Sequence, residues 1–163
     1  MAPIQSNTEF ISKLKSLPLE QQHHLAKQFI SSVIHLSDNS RLGQLVELLK
    51  KPDCSVEDVK NARSIAQSVY AATSPGSDIS EVKFDCQATH LIAQAVLACT
   101  ASFDQSGSNQ QVANKVANYC RMAQTCVGMS HGQDVPDFDK AEEAYNKIVQ
   151  EQINIVNKFL ESS

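Results

Sequence analysis

Cys86, His90 and Gln94 recur at four-residue intervals along one apolar segment, a spacing that brings them onto one face of a helix. A thiol and an imidazole so placed could grip a metal ion, and with the Gln94 amide they could line a small-molecule pocket. No second pair with ligand spacing accompanies them, since Cys120 and Cys126 lie six apart, an awkward separation on a helix. A core histidine satisfied by a backbone or side-chain partner accounts for His90 more simply. Cys86, His90 and Gln94 therefore stand as the candidate ligand-binding set, and no metal site and no cofactor is expected.

His131 lies in Met129-Ser130-His131-Gly132-Gln133-Asp134, where a glycine-flanked imidazole beside Asp134 could act as an acid or base. Nothing in the chain supplies a nucleophile to go with it; Cys126 is near in sequence, but a Cys–His dyad needs oriented contact that spacing does not show. Phosphate-binding, dinucleotide-binding, zinc-protease and hydrolase-elbow motifs are all missing. No catalytic residue is assigned, and the chain is read as a non-enzyme. Arginine is scarce, with Arg41, Arg63 and Arg121 the full set. Arg41 follows Asp38 by three residues at a helix start, which suits a local ion pair or a contact to a partner's carboxylate. Arg41 and His131 are the candidate partner-binding residues, while His23 and His24 read as surface polarity on an amphipathic helix.

The elements that would position these groups are helices. Between Ala88 and Ala101 only Thr89, His90, Gln94 and Thr100 are polar, and the apolar residues spread around the whole circumference. Such a helix belongs inside a protein with others packed around it; it is too interrupted to cross a membrane, which takes about 20 apolar residues. Amphipathic helices are predicted from Thr8 to Leu17, Pro18 to Leu36, Arg41 to Lys50, Val56 to Ala72 and Gln111 to Val127. Ser55–Asp58 and Asp78–Glu81 resemble capping boxes. A last long helix opens at Pro136, with Phe138, Ala141, Tyr145, Ile148, Ile155 and Phe159 on a heptad-like stripe broken by Gln152. Strand-like alternation is nowhere evident. The expected fold is all-α: one domain over 1–163, a bundle or orthogonal array of six to seven helices around a buried central helix at 81–102. Residues 1–7 read as a frayed end, and 136–161 could serve homo-oligomerisation.

Composition narrows the partners. The 163 residues carry a net charge of -4 without any basic block, so nucleic acid is not an expected partner. The opening MAPIQSNTEF lacks both regions of a secretory signal. Five cysteines, an odd number without a CxxC pair, suit a reducing cytoplasm. A soluble, cytoplasmic protein without membrane contact is expected.

Asp38-x-x-Arg41 entering a helix, the Ala-rich Asn61–Ala72 segment and the run from Ala88 to Ala98 together resemble the Imm5-like immunity family of small, helical, Ala-rich bacterial proteins. The likeness covers roughly residues 30 to 125 by pattern. It departs from the family where His90 precedes Gln94-Ala95-Val96 instead of following it, and where the Asp38 segment lacks an arginine–proline step. The resemblance implies neutralisation of a toxin by binding it. From the residues themselves, the expected function is that of a non-catalytic helical protein that binds another protein. The alternative is a small-molecule- or metal-binding domain with a pocket beside the central helix. A filled core with an exposed apolar patch on the last helix favours the first; a cavity beside His90 favours the second.

Overall fold

The structure, a computed structural model, describes residues 2–74, 84–101, 111–130 and 136–163, with the side chains of 84–86 and 130 not described. The described residues form seven α-helices and one 3-10 turn, with no strand among them. The fold is all-α. None of these helices is long and apolar enough to cross a membrane. The expected capping box at Asp78–Glu81 lies outside the described residues.

Helix α1 (Asn7–Ser16) starts where Ser6 Oγ accepts from the Glu9 N–H, and it buries Phe10 and Leu14. The residues before it are not frayed at Ile4. That side chain is buried, and its backbone is held by the Asn157 amide: Ile4 N–H donates to Oδ1 (2.8 Å) and Asn157 Nδ2 donates to Ile4 O (3.1 Å). The amide substitutes for a neighbouring strand, satisfying a half-buried backbone pair that would otherwise be costly.

Helix α2 (Leu19–Val33) follows Pro18 and buries Leu25, Ala26, Phe29, Ile30 and Val33. A 3-10 turn (Ile34–Leu36) leads to α3 (Ser40–Lys50), capped by the Asn39 side chain, which accepts from Leu42 N–H at 3.2 Å. Helix α4 (Val56–Ala72) has the expected box, with Ser55 and Asp58 exchanging backbone and side-chain hydrogen bonds. These bonds hold the Asp58 carboxyl below its ordinary value.

Helix α5 (Phe84–Cys99) is the predicted central helix, and Ala88, Leu91, Ile92, Ala93, Ala95, Val96 and Cys99 are buried on it. It shares the centre with α6 (Val112–Ser130), which packs against α1, α2, α5 and α7 (Phe138–Ser162). Alanines on both partners, among them Ala93 and Ala95 on α5 and Ala113 and Ala117 on α6, are fully buried. Their small side chains bring the two backbones close, and α4 and α2 cover the remaining sides of α5. Near its end α6 approaches α7 so closely that a Cβ on Gly128 would lie 2.8 Å from Ala144 Cβ and 2.9 Å from Lys140 O.

The stripe expected on α7 is rearranged. Ala141, Ile148, Gln152, Ile153 and Val156 face inward, whereas Phe138 is 72% exposed and Tyr145 41% exposed. Gln152, read as a break in an apolar seam, is completely buried. At 25 residues the helix is about 37 Å long, and its faces change role along that length.

Candidate functional site

Of the candidate set on α5, the structure describes the side chains of His90 and Gln94; Cys86 falls outside. His90 is buried and engaged. Its Nδ1 lies 3.1 Å from Tyr70 O and 3.2 Å from Thr73 Oγ1, and its ring stacks on Tyr70 with centroids 4.1 Å apart. Since Thr73 Oγ1 donates to Val69 O at 2.8 Å, Nδ1 carries the proton and donates to the Tyr70 carbonyl. The imidazole thus secures the C-terminal turn of α4 against α5, sharing with the Ser74 hydroxyl (3.0 Å) a carbonyl at the end of the helical ladder. Gln94 is half-buried on the same helix. No group of three His, Cys, Asp or Glu suited to a metal ion occurs among the described residues.

The other end of α5 is closed by two basic side chains. Arg63 Nη1 on α4 donates to Leu97 O at 2.7 Å, and a ring N–H of half-buried His23 on α2 donates to the Cys99 carbonyl. Donors at a helix C-terminus meet both the unpaired carbonyls and the negative end of the dipole. His23 is therefore a packing element and not surface polarity; sequence shows its exposure pattern on α2 but not the carbonyls opposite. Burial lowers its pKa from 6.5, the Cys99 carbonyl pulls it back up, and Lys27 lowers it further. The unfolded chain then takes up a proton more readily than the folded one, so stability falls as pH drops through 6.5 towards the folded pKa, and no further below it. His23→Gln, which keeps a donor, is expected to remove this part of the slope in melting temperature between about pH 5 and pH 8. An unchanged slope would mean that His23 is equally hydrated in both states.

A third cluster has no counterpart in the expected sites. Arg121 on α6 is 3% exposed, and its guanidinium lies 4.9 Å above the Phe10 ring. Nε donates to Gln152 Oε1 (2.6 Å) and Nη1 to Asn7 Oδ1 (2.9 Å), while Gln152 Nε2 donates to Ala117 O (3.0 Å). The whole set joins α1, α6 and α7. No carboxylate is paired with it among the described residues, and Nη2 is buried without a hydrogen-bond partner among them. Burial pulls the guanidinium pKa down, and Tyr145, whose hydroxyl accepts a hydrogen bond from it, and nearby Cys120 push it back up. Two signals were available in the sequence: the scarcity of arginine, and a lone glutamine in an apolar stripe.

Arg121 also lines a surface cavity of about 580 Å³ between α6 and α7, with Asn118, Met122, Thr125, Cys126, Met129 and Tyr145. The α6 residues recur at helical spacing, so the groove runs along a face of that helix which α7 leaves open. Met122 is 51% exposed at its edge. At the far end Asp137 N–H donates to Met129 O, which ties the start of α7, where exposed Phe138 is the first residue, to the end of α6.

The remaining candidates are dispersed. Arg41 is exposed on the first turn of α3, and no ion pair joins it to Asp38. His131 lies outside the described residues. Cys54, Cys99, Cys120 and Cys126 are free thiols. Burial pushes Cys99 up to about 11 and raises Cys120 and Cys126 as well, so none of these three is held as a reactive thiolate. Set against family models, curated proteins and solved structures, the chain matches none of them.

Proposed function

We propose that this chain is a non-catalytic helical protein that works by binding another protein through the groove between α6 and α7. The observation that carries this is the exposed apolar lining: Met122 and Tyr145 stand on a concave surface shared with Met129 and Cys126, and exposed Phe138 opens the neighbouring helix. Contiguous exposed apolar surface marks contact sites, and aromatic and methionine side chains are the ones that anchor interfaces or adapt to a partner's shape. Toxin neutralisation by occlusion, as the immunity-family resemblance implies, is one form such binding would take. The alternative of a ligand pocket beside His90 has less support, because that ring commits Nδ1 and one face to Tyr70 and Thr73.

The test compares the chain with Met122→Ser/Phe138→Ser, whose exposed positions should leave folding within about 0.5 kcal/mol. Both are immobilised at equal density and challenged with extract of the source cell. A stoichiometric protein retained by the native chain and lost by the double variant is the expected result. Equal retention by both, with folding verified by circular dichroism, would remove the groove from the function.

A further inference from the structure

We infer that the segment seated in the α6–α7 groove carries a carboxylate side chain flanked by apolar ones, and that this carboxylate pairs with Arg121. The inference rests on the groove being the binding face and adds the chemistry of what fills it. Buried arginines are ordinarily mated to an acid, because an unneutralised cation out of water is costly. Here its partners are neutral: the amide oxygens of Gln152 and Asn7 and the Tyr145 hydroxyl orient the guanidinium without cancelling its charge. Nη2 remains unpartnered among the described residues, and Arg121 is one of the residues that line the groove.

The rest of the lining restricts the anion. Met122, Met129 and Cys126 offer apolar and thioether surface, and the Thr125 hydroxyl already donates to Arg121 O at 2.8 Å. Beside Arg121 the lining adds the exposed Asn118 amide as a donor, and a carboxylate, which needs fewer donors than a phosphate, suits the planar guanidinium. Tyr145 lines the groove as well, with its ring centroid 6.0 Å from the guanidinium carbon, and it is 41% exposed. An entering carboxylate would take the place of the Tyr145 hydroxyl at the guanidinium, exchanging a neutral acceptor for a charged one. The bound carboxylate would replace an arrangement in which a buried donor is unused, so binding and relief of that deficit coincide.

The experiment avoids substituting Arg121, whose loss could unfold the chain. A random twelve-residue peptide library is panned against the native chain, with Met122→Ser/Phe138→Ser used to subtract peptides that bind elsewhere. The expected result is a consensus with Asp or Glu between apolar residues. Changing that acid to its amide should weaken binding at least tenfold, and the Arg121 side-chain NMR resonances should move with the acidic peptide only. Groove-dependent peptides that lack an acid, or whose amide form binds within twofold, would overturn this inference and leave the groove reading standing. Recovery of no groove-dependent peptide would count against both. A concentration-dependent dimer abolished by the double variant would seat a second copy there and overturn the peptide assignment.

Discussion

Replacing Gln152 with Leu is expected to lower the unfolding free energy by about 1.5–3 kcal/mol, despite putting an apolar residue into a buried position on an apolar stripe. The side chain is fully buried, and its Oε1 takes the Arg121 Nε–H at 2.6 Å. Leucine would remove one of the hydrogen bonds that hold the guanidinium, so the cost is that of a lost hydrogen bond to a buried charged group, larger than that of a neutral one. The Ala117 carbonyl loses the Gln152 donor too, but it belongs to the interior of α6 and keeps its place in the helical ladder. Arg121→Met/Gln152→Leu should regain most of the loss, since removing both partners removes the buried charge together with its acceptor; Asn7, half-buried at the edge, can turn to water. Urea unfolding of the two single variants and the double closes the cycle, with a coupling of about 1–3 kcal/mol expected. A cost below about 1 kcal/mol for Gln152→Leu would show that water reaches Arg121 and that the buried network is not what joins α1 and α7 to α6. The double variant also bears on the inferred pairing: folded but without the guanidinium, it should bind acidic and amide peptides alike.

How far the sequence carried depended on whether a feature was local. The helices were legible because their signals lie within a turn or two: Ser55 with Asp58, Pro18 at an entry, and apolar residues at three- and four-residue spacing. The buried character of α5 was legible for the same reason, since Leu91, Ile92 and Val96 cannot all face one neighbour. What sequence left hidden were the pairings across the fold. Asn157 holding Ile4, His23 reaching the Cys99 carbonyl and Arg121 meeting Gln152 each join residues with no periodic relation. A polar residue in an apolar stripe has two physical explanations, a break in the seam or a satisfied buried group, and only the partner decides between them. The same limit applied to His90: its spacing from Cys86 and Gln94 suggested a shared face, whereas Tyr70 on α4 and Thr73 at the C-cap of α4 engage its ring. The groove was hidden as well, because Phe138 and Tyr145 fit an inward stripe as readily as an exposed one until α6 is set beside them.

Two helical glycines supply a second test, in which the sign of the effect is at stake. By propensity alone, Gly→Ala inside a helix stabilises by about 0.5–1 kcal/mol. Gly43 on α3 has nothing within 4 Å of the added Cβ, so Gly43→Ala should follow that rule. Gly128 on α6 should reverse it. There the new methyl would meet Ala144 Cβ at 2.8 Å and the Lys140 carbonyl at 2.9 Å, and neither is the far end of a flexible side chain. The α6–α7 backbones must separate, at a cost of about 1–3 kcal/mol typical of an overfilled contact. Thermal melts of the two variants beside the native chain should therefore shift in opposite directions. Because Gly128 lies next to Met129, the displaced helices would also spread the Met129 end of the groove, so Gly128→Ala should weaken a groove-bound peptide even at temperatures where it is fully folded. If Gly128→Ala instead melts higher than the native chain, the close crossing is not maintained in solution, and the shape assigned to the groove fails with it.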